Sequence, residues 1–400
     1  MKLFGQILVS ASLFAICIVA GTSARADDGK DRNQANRYVV TSLTSDLPGV
    51  APNTDPVLQN SWGVAFTPGA SPFWIADNAT GCSTLYDGTG VKQALQVLIP
   101  LPSSAPPPQS PATACVSVNP QNPPNPTPAA PTGMVWNPTT NPMTAFLVPG
   151  TKLPAAFIWA TEDGTISAWA GGLANLTPPL PANNAVLAID NPNTTSGPVY
   201  KGLVFGTNVN GVFLFATNFR GGTVDVFDHN YQPATTDGGF NDPDIPTGFA
   251  PFGIENIDGN LFVTYAKQRL PDKHDDMAGS GNGFVDVFDT DGHLLRRFAS
   301  QGPLNSPWGI ARASFAFGRF SGDILVGNFG NGKIHAFDSN GNSLGMLRDA
   351  NGKPLVIDGL WKLTLGGGAK SSSDTLYFTA GPNGEMDGLF GTITPAPQPN

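Results

Sequence analysis

Ser306-Pro307-Trp308-Gly309-Ile310 is the stretch from which the fold of this 400-residue chain can be read. An aromatic residue, a glycine and an apolar strand follow one another, and the phrase recurs. Trp62-Gly63-Val64, Thr132-Gly133-Met134, Lys201-Gly202-Leu203 and Phe252-Gly253-Ile254 are copies, and Trp361-Lys362-Leu363 is a sixth that has lost its glycine. After each copy come a second short strand, a glycine-marked turn and a third strand, as in Phe157–Ala160 with Thr165–Trp169. Third strands end alike: Val-Asp-Val-Phe-Asp at 224–228 and 285–289, Ile-His-Ala-Phe-Asp at 334–338, Thr-Leu-Tyr-Asp at 84–87. Asp291-Gly292 and Asn340-Gly341 then supply tight hairpins, and a fourth strand follows, for example His293–Ala299.

Four antiparallel strands repeated six times predict an all-β chain, a six-bladed β-propeller. A β-sandwich would leave the recurring phrase unexplained. The last repeat has only three strands after Trp361, and Arg37–Leu43 is a spare strand. The N-terminal strand is therefore expected to complete blade six and close the ring, which removes an exposed sheet edge. The 47 glycines, 38 prolines and 13% charged residues suit short strands and many turns.

Lys2, the apolar run 7–20 and Ala24-Arg25-Ala26 read as a secretory signal cleaved after residue 26. Ile16 before Cys17 argues against a lipid anchor, and no later stretch is long enough to span a bilayer. The expected organisation is a signal at 1–26, a linker at 27–36, the propeller at 37–394 and a disordered tail at 395–400. The formal charge of −9 becomes more negative once Lys2 and Arg25 are removed. An acidic chain without a basic cluster is a poor partner for nucleic acid or anionic membrane. A periplasmic or extracellular monomer is expected, and Cys82 and Cys115 are expected to pair in that oxidising setting.

Mean blade spacing of about 62 residues exceeds the roughly 40–45 of a compact blade. The excess is read as insertions at 100–131 and 171–199 between blades, and at 266–282 in the second-to-third-strand turn of blade four. Both kinds of connection emerge on one face, so all three are expected to decorate one channel mouth.

Ser-Pro-Trp-Gly-Ile at 306–310 and Val-Asp-Val-Phe-Asp resemble NHL-type repeats. Tyr265-Ala266-Lys267-Gln268, Asp272-Lys273-His274-Asp275-Asp276 and the run from Gly281 to Asp289 look like a family of exported bacterial propellers, some with a PEP-CTERM sorting tail. The resemblance runs from Tyr38 to about Thr394; residues 394–400 lack the apolar sorting helix. It implies fold and export, and no activity.

The phrase places Trp62, Thr132, Lys201, Phe252, Trp308 and Trp361 around the channel mouth. The aromatic members can stack on a ligand or hold a cation; equally, they can plug the channel. Lys267, Asp272, Lys273, His274, Asp275 and Asp276 fall within ten residues of blade four. There Asp272, Asp275 and Asp276 can ligate a divalent cation such as calcium, with His274 as ligand or base; the bland alternative is a solvated mixed-charge loop. Similar six-bladed calcium lactonases hold their metal near the inner-strand starts. None of the six phrase positions is a hard oxygen ligand of that kind, although Asn60 and Glu255 lie close. Asp228, Asp289, Asp291 and Asp338 are expected only to shape hairpins, and His229, His293 and His335 belong to different blade ends. No G-x-S-x-G, P-loop or H-E-x-x-H is present. The expected function is thus non-enzymatic binding of a small molecule, glycan or protein at the upper mouth, through Trp62, Lys201, Phe252, Trp308, Trp361, Lys267 and His274. A metal-assisted, lactonase-like hydrolase or lyase is the alternative.

Overall fold

A computed structural model describes residues 34–397, apart from 70, 106–114, 120, 125–126, 140, 142–144 and 192–195. The expected signal and most of the expected linker lie outside the described residues. Six antiparallel sheets stand in a ring. From channel outwards, blade one is Ser61–Ala65, Phe73–Asp77, Cys82–Tyr86 and Val97–Leu98. Blade four is Phe249–Ile257, Asn260–Lys267, Gly283–Phe288 and Leu294–Ser300, and blade five is Pro307–Arg312, Ile324–Asn328, Ile334–Phe337 and Ser343–Met346. Blade six runs Leu360–Leu365, Leu376–Ala380 and Leu389–Pro395, and Tyr38–Ser45 adds its fourth strand. The ring is therefore a six-bladed β-propeller closed by the N-terminal strand. Asn36 helps to seat that strand, its side chain donating to Met346 O at 2.9 Å.

The phrase glycines have a steric cause. A Cβ on Gly63 would lie 2.4 Å from Thr132 O, on Gly253 2.1 Å from Trp308 O, and on Gly309 2.3 Å from Trp361 O. Each glycine thus lets the inner strand of the next blade approach closely. Apolar side chains of facing blades then interlock between the sheets, for example Val204, Phe215, Ile254 and Val263 between blades three and four.

Two expectations change. The fourth strand of blade two is Val186–Asp190, paired with Thr165–Trp169. Residues 170–185 are therefore a third-to-fourth-strand connection, and only 191–199 join blades two and three; the extra length is shared between the two faces. The final strand also continues to Pro395, and Ala396 N donates to Arg37 O at 2.9 Å, because the closing strand offers a partner there. Residues 398–400 lie outside the described residues. Among the described residues no helix is long and apolar enough to cross a membrane.

Candidate functional site at the upper mouth

Inner strands begin, and second strands end, on the face called upper here. Just inside it the channel is filled. Trp62 and Trp361 stack at 3.5 Å between ring centroids, Phe329 stacks on Trp361 at 3.9 Å, and Trp308 meets both indoles edge-on. Phe252 and Phe219 complete the cluster. None of the four phrase aromatics is more than 5% exposed. They form a floor that a ligand meets from above, and truncating one would cost about 3–5 kcal/mol. Lys201 stands on this floor, 3% exposed, with its ammonium 5.1 Å from the Trp62 ring centroid. Thr132 is wholly buried and donates to Tyr200 O at 2.8 Å.

Above the floor, polar groups from different blades form one chain of contacts. Trp361 Nε1 donates to Asn60 Oδ1 at 3.1 Å; Asn60 Nδ2 donates to Asn78 Oδ1 at 3.1 Å and to Glu385 Oε2 at 2.9 Å. Asn78 Nδ2 donates to Glu162 Oε2 at 3.1 Å, and Glu162 Oε1 accepts from the Lys201 ammonium. His274 Nδ1 lies 4.0 Å from that same Glu162 oxygen and 2.8 Å from Asp275 Oδ1. Blades one, two, three, four and six thus each contribute a polar side chain to one mouth. The stretch beyond the Cys82–Cys115 disulfide reaches the same rim, where Gln59 and the Val118 backbone exchange hydrogen bonds of 3.1 and 2.8 Å.

Several of these residues hold left-handed backbone. Asn60 has φ 47°, Ser306 46°, Asn383 57° and Glu385 69°, a conformation that side-chain-bearing residues adopt at a cost of about 1 kcal/mol or more. The Pro382–Glu385 turn spends that strain on turning Glu385 toward Asn60. Burial, then the charge of Glu162, pushes the Glu385 carboxyl up to about 7. Burial alone would lower the Lys201 pKa, but Glu162 beside it keeps the value above the usual lysine range. The hydrogen bond to Asp275 raises His274, and the same bond holds Asp275 down at about 2. Burial raises Asp163 and Asp276.

The acidic loop is arranged differently from its expectation. Among the described residues, the cluster able to offer three ligand atoms within 4.8 Å of one another is Glu162, His274 and Asp275. Asp276 is 7% exposed, and its Oδ2 has no hydrogen-bond partner. Asp272 is exposed, its backbone carbonyl accepting from Arg220 Nε at 2.9 Å. The proposed trio Asp272, Asp275 and Asp276 therefore does not meet as one ligand set, because the hairpin 268–276 sends successive carboxylates in different directions. Lys267 ends its strand half-buried. Asn60 and Glu255 are not brought together either: Glu255 lies farther down the channel and pairs with Lys362. Glu385 escaped the sequence reading. Its signal was positional, since it sits in the same second-to-third-strand turn of blade six that carries Glu162 and His274 in blades two and four.

The lower face is built otherwise. Asp87, Asp228, Asp289 and Asp338 each accept through Oδ1 from the backbone N–H groups two and four residues on, at 2.8–3.2 Å. These are hairpin acids. His335 is buried within the third strand of blade five, and burial lowers its pKa to about 4.

No family model matches the chain. Acanthamoeba polyphaga mimivirus protein R648, described as uncharacterized, is 30% identical over 367 residues, 90% of this chain and 81% of that one. Protein L690 of the same virus is 28% identical over 368 residues, covering 90% and 87%. These relatives are viral and lend no support to membership of an exported bacterial family. Among solved structures, virginiamycin B lyase from Staphylococcus aureus is similar with a TM-score of 0.48 and 13% identity, covering 90% of this chain and all of that one. A gluconolactonase from Xanthomonas campestris scores 0.45 with 13% identity, covering 84% and 86%. At these scores neither carries an argument about chemistry.

Proposed function

The chain belongs to the family of mimivirus protein R648, a likeness that spans 90% of it rather than a short motif, and we propose that its working part is likewise built by the whole ring: the upper mouth binds a small organic amine. The observation that carries this reading is the convergence of Glu162, Asp275 and Glu385 from three blades on one mouth. Asn60 occupies one oxygen of Glu385, and a ligand donor can use the other. An ammonium suits these acceptors. A single charge is also repelled less by Lys201 than a double one. Each mouth residue comes from one chain, so a monomer suffices. Export to an oxidising compartment belongs to the same proposal, supported by the leader-like residues 1–26 and by the Cys82–Cys115 disulfide.

Calorimetry with butylamine, a monocation at pH 7, tests it. Binding is expected to release protons, because an ammonium favours the charged form of Glu385. Affinity is expected to fall at least about tenfold in Glu385→Gln and Glu162→Gln. No binding, or unchanged affinity in both variants, defeats the proposal.

The Glu162–His274–Asp275 cluster and the near-neutral pKa of Glu385 favour a second reading, a metal-assisted hydrolase or lyase with Glu385 as proton carrier. Stoichiometric calcium or zinc binding that is lost in His274→Ala would move the assignment there.

A further inference from the structure

A cavity of about 230 Å³ lies at the other end of the channel, beneath the aromatic floor. The ends of three inner strands line it, with residues 255–258 from blade four, 310–312 from blade five and 363–365 from blade six. Three charged groups line it, Glu255, Asp258 and Arg312, and a fourth, Lys362, reaches it through Glu255. Lys362 stands where the other five phrases have glycine, and its ammonium pairs with Glu255 from blade four. Arg312 Nη2 donates to Asp258 at 2.6 Å. The Arg312 side chain is 38% exposed, and its guanidinium carries more N–H donors than the one bond to Asp258 uses.

These four charges sum to zero. A ligand bearing only a carboxylate would satisfy Arg312 or Lys362 and leave Glu255 or Asp258 repelled; an amine alone would do the reverse. A ligand with both charges can insert into the pairs and leave each group partnered. We propose that this lower cavity binds a small zwitterion, a free α-amino acid. Its carboxylate faces Arg312 and Lys362, and its ammonium faces Glu255 and Asp258. The proposal stands apart from the upper-mouth reading and uses none of its residues.

Calorimetry on the full chain with L-leucine tests it, run in parallel on Glu385→Gln protein so that any amine site at the upper mouth is silenced. Leucine is expected to bind both proteins alike, with a Kd in the range of about 0.1–5 mM. 4-Methylpentanoate, which lacks the ammonium, and leucinamide, which lacks the carboxylate, are expected to bind Glu385→Gln protein at least about tenfold more weakly than leucine. Arg312→Gln and Lys362→Met should each weaken leucine binding at least about tenfold; both side chains are partly exposed, and melting curves confirm that the variants fold. Any of three results overturns the proposal: no leucine binding, comparators that bind as tightly as leucine, or affinity that falls in Glu385→Gln but not in Arg312→Gln. The last would put the amino acid at the upper mouth.

Discussion

The two rims of the ring follow opposite rules. On the lower rim one device repeats: an aspartate ends the third strand and accepts from backbone N–H groups two and four residues on, in blades one, three, four and five. On the upper rim the backbone repeats, the residue after each second strand donating to the one ahead of the inner strand (Asn78 to Asn60, Glu162 to Ala130, Phe219 to Val199, Gln268 to Gly248, Phe329 to Ser306, Gly381 to Gly359), but the side chains do not. The corresponding turns carry Asn78, Glu162, Arg220, His274 and Glu385, and the described contacts of each are its own. Sameness marks what the scaffold reuses in four of its six blades. Difference in these side chains marks where the ring departs from its repeat; left-handed backbone does not separate the rims, since Asn60, Ser306 and Glu385 hold it above and Tyr231, Asp258 and Lys370 below.

The comparison can be broken most severely by opening the ring, on which both rims depend. Deleting 38–45 removes the partner of Leu389–Pro395 and the wholly packed Tyr38. It should lower Tm by about 10 °C or more, whereas trimming residues after 397 should move it by less than about 2 °C. Comparable small shifts for the two deletions, read by circular dichroism, would mean that closure is not what holds the rims.

A smaller effect sharpens the contrast at the upper rim. Glu385 has its pKa raised from 4.5 to about 7 in the folded chain. The folded state therefore keeps its proton longer than the unfolded one, and stability falls as pH rises from about 4.5 through about 7. Glu385→Gln removes that dependence. It should stabilise the protein by about 1–2 kcal/mol at pH 8 and hardly at all at pH 4.5. Urea melts across this range check it, and a variant that is destabilised at pH 8 would show the carboxylate to be structural.

The smallest effect belongs to the lower rim. Asp338→Ala leaves the Asn340 and Asn342 N–H groups to water and should cost about 0.5–1.5 kcal/mol, equally at pH 5 and pH 8. It should leave butylamine binding untouched. A change in that binding would show the two rims to be coupled.

The scaffold was legible because its causes are periodic. The phrase glycines are required by a close approach that recurs at five of the six blades, and the hairpin aspartates by a turn that recurs on the lower rim. The site was legible only in part, because it is assembled from residues far apart in sequence. His274 and Asp275 stood out as a charged run, yet their partner Glu162 is one acid in an ordinary Glu-Asp-Gly turn. Glu385 lies in a Pro-Asn-Gly-Glu turn whose direction depends on three successive residues of positive φ, Asn383, Gly384 and Glu385. The aromatic phrase residues were placed at the mouth, but whether they would line it or fill it depended on ring-to-ring packing across the channel. The blade-two insertion was misread because its fourth strand, Val186–Asp190, follows a long connection and lacks the repeated aspartate turn.

Closure by Tyr38–Ser45 also sets an order in time. About 340 residues separate this strand from its partner, Leu389–Pro395. At roughly 5–20 residues per second a ribosome needs on the order of 20–70 s to make that stretch. Throughout that interval the first strand is finished and the ring is not. The growing chain is an open arc whose free sheet edge can pair with a neighbouring copy. The last strand to be made is the one that ends the exposure, so a ribosome stalled within blade six would release a species far more prone to aggregate than one stalled just beyond Pro395.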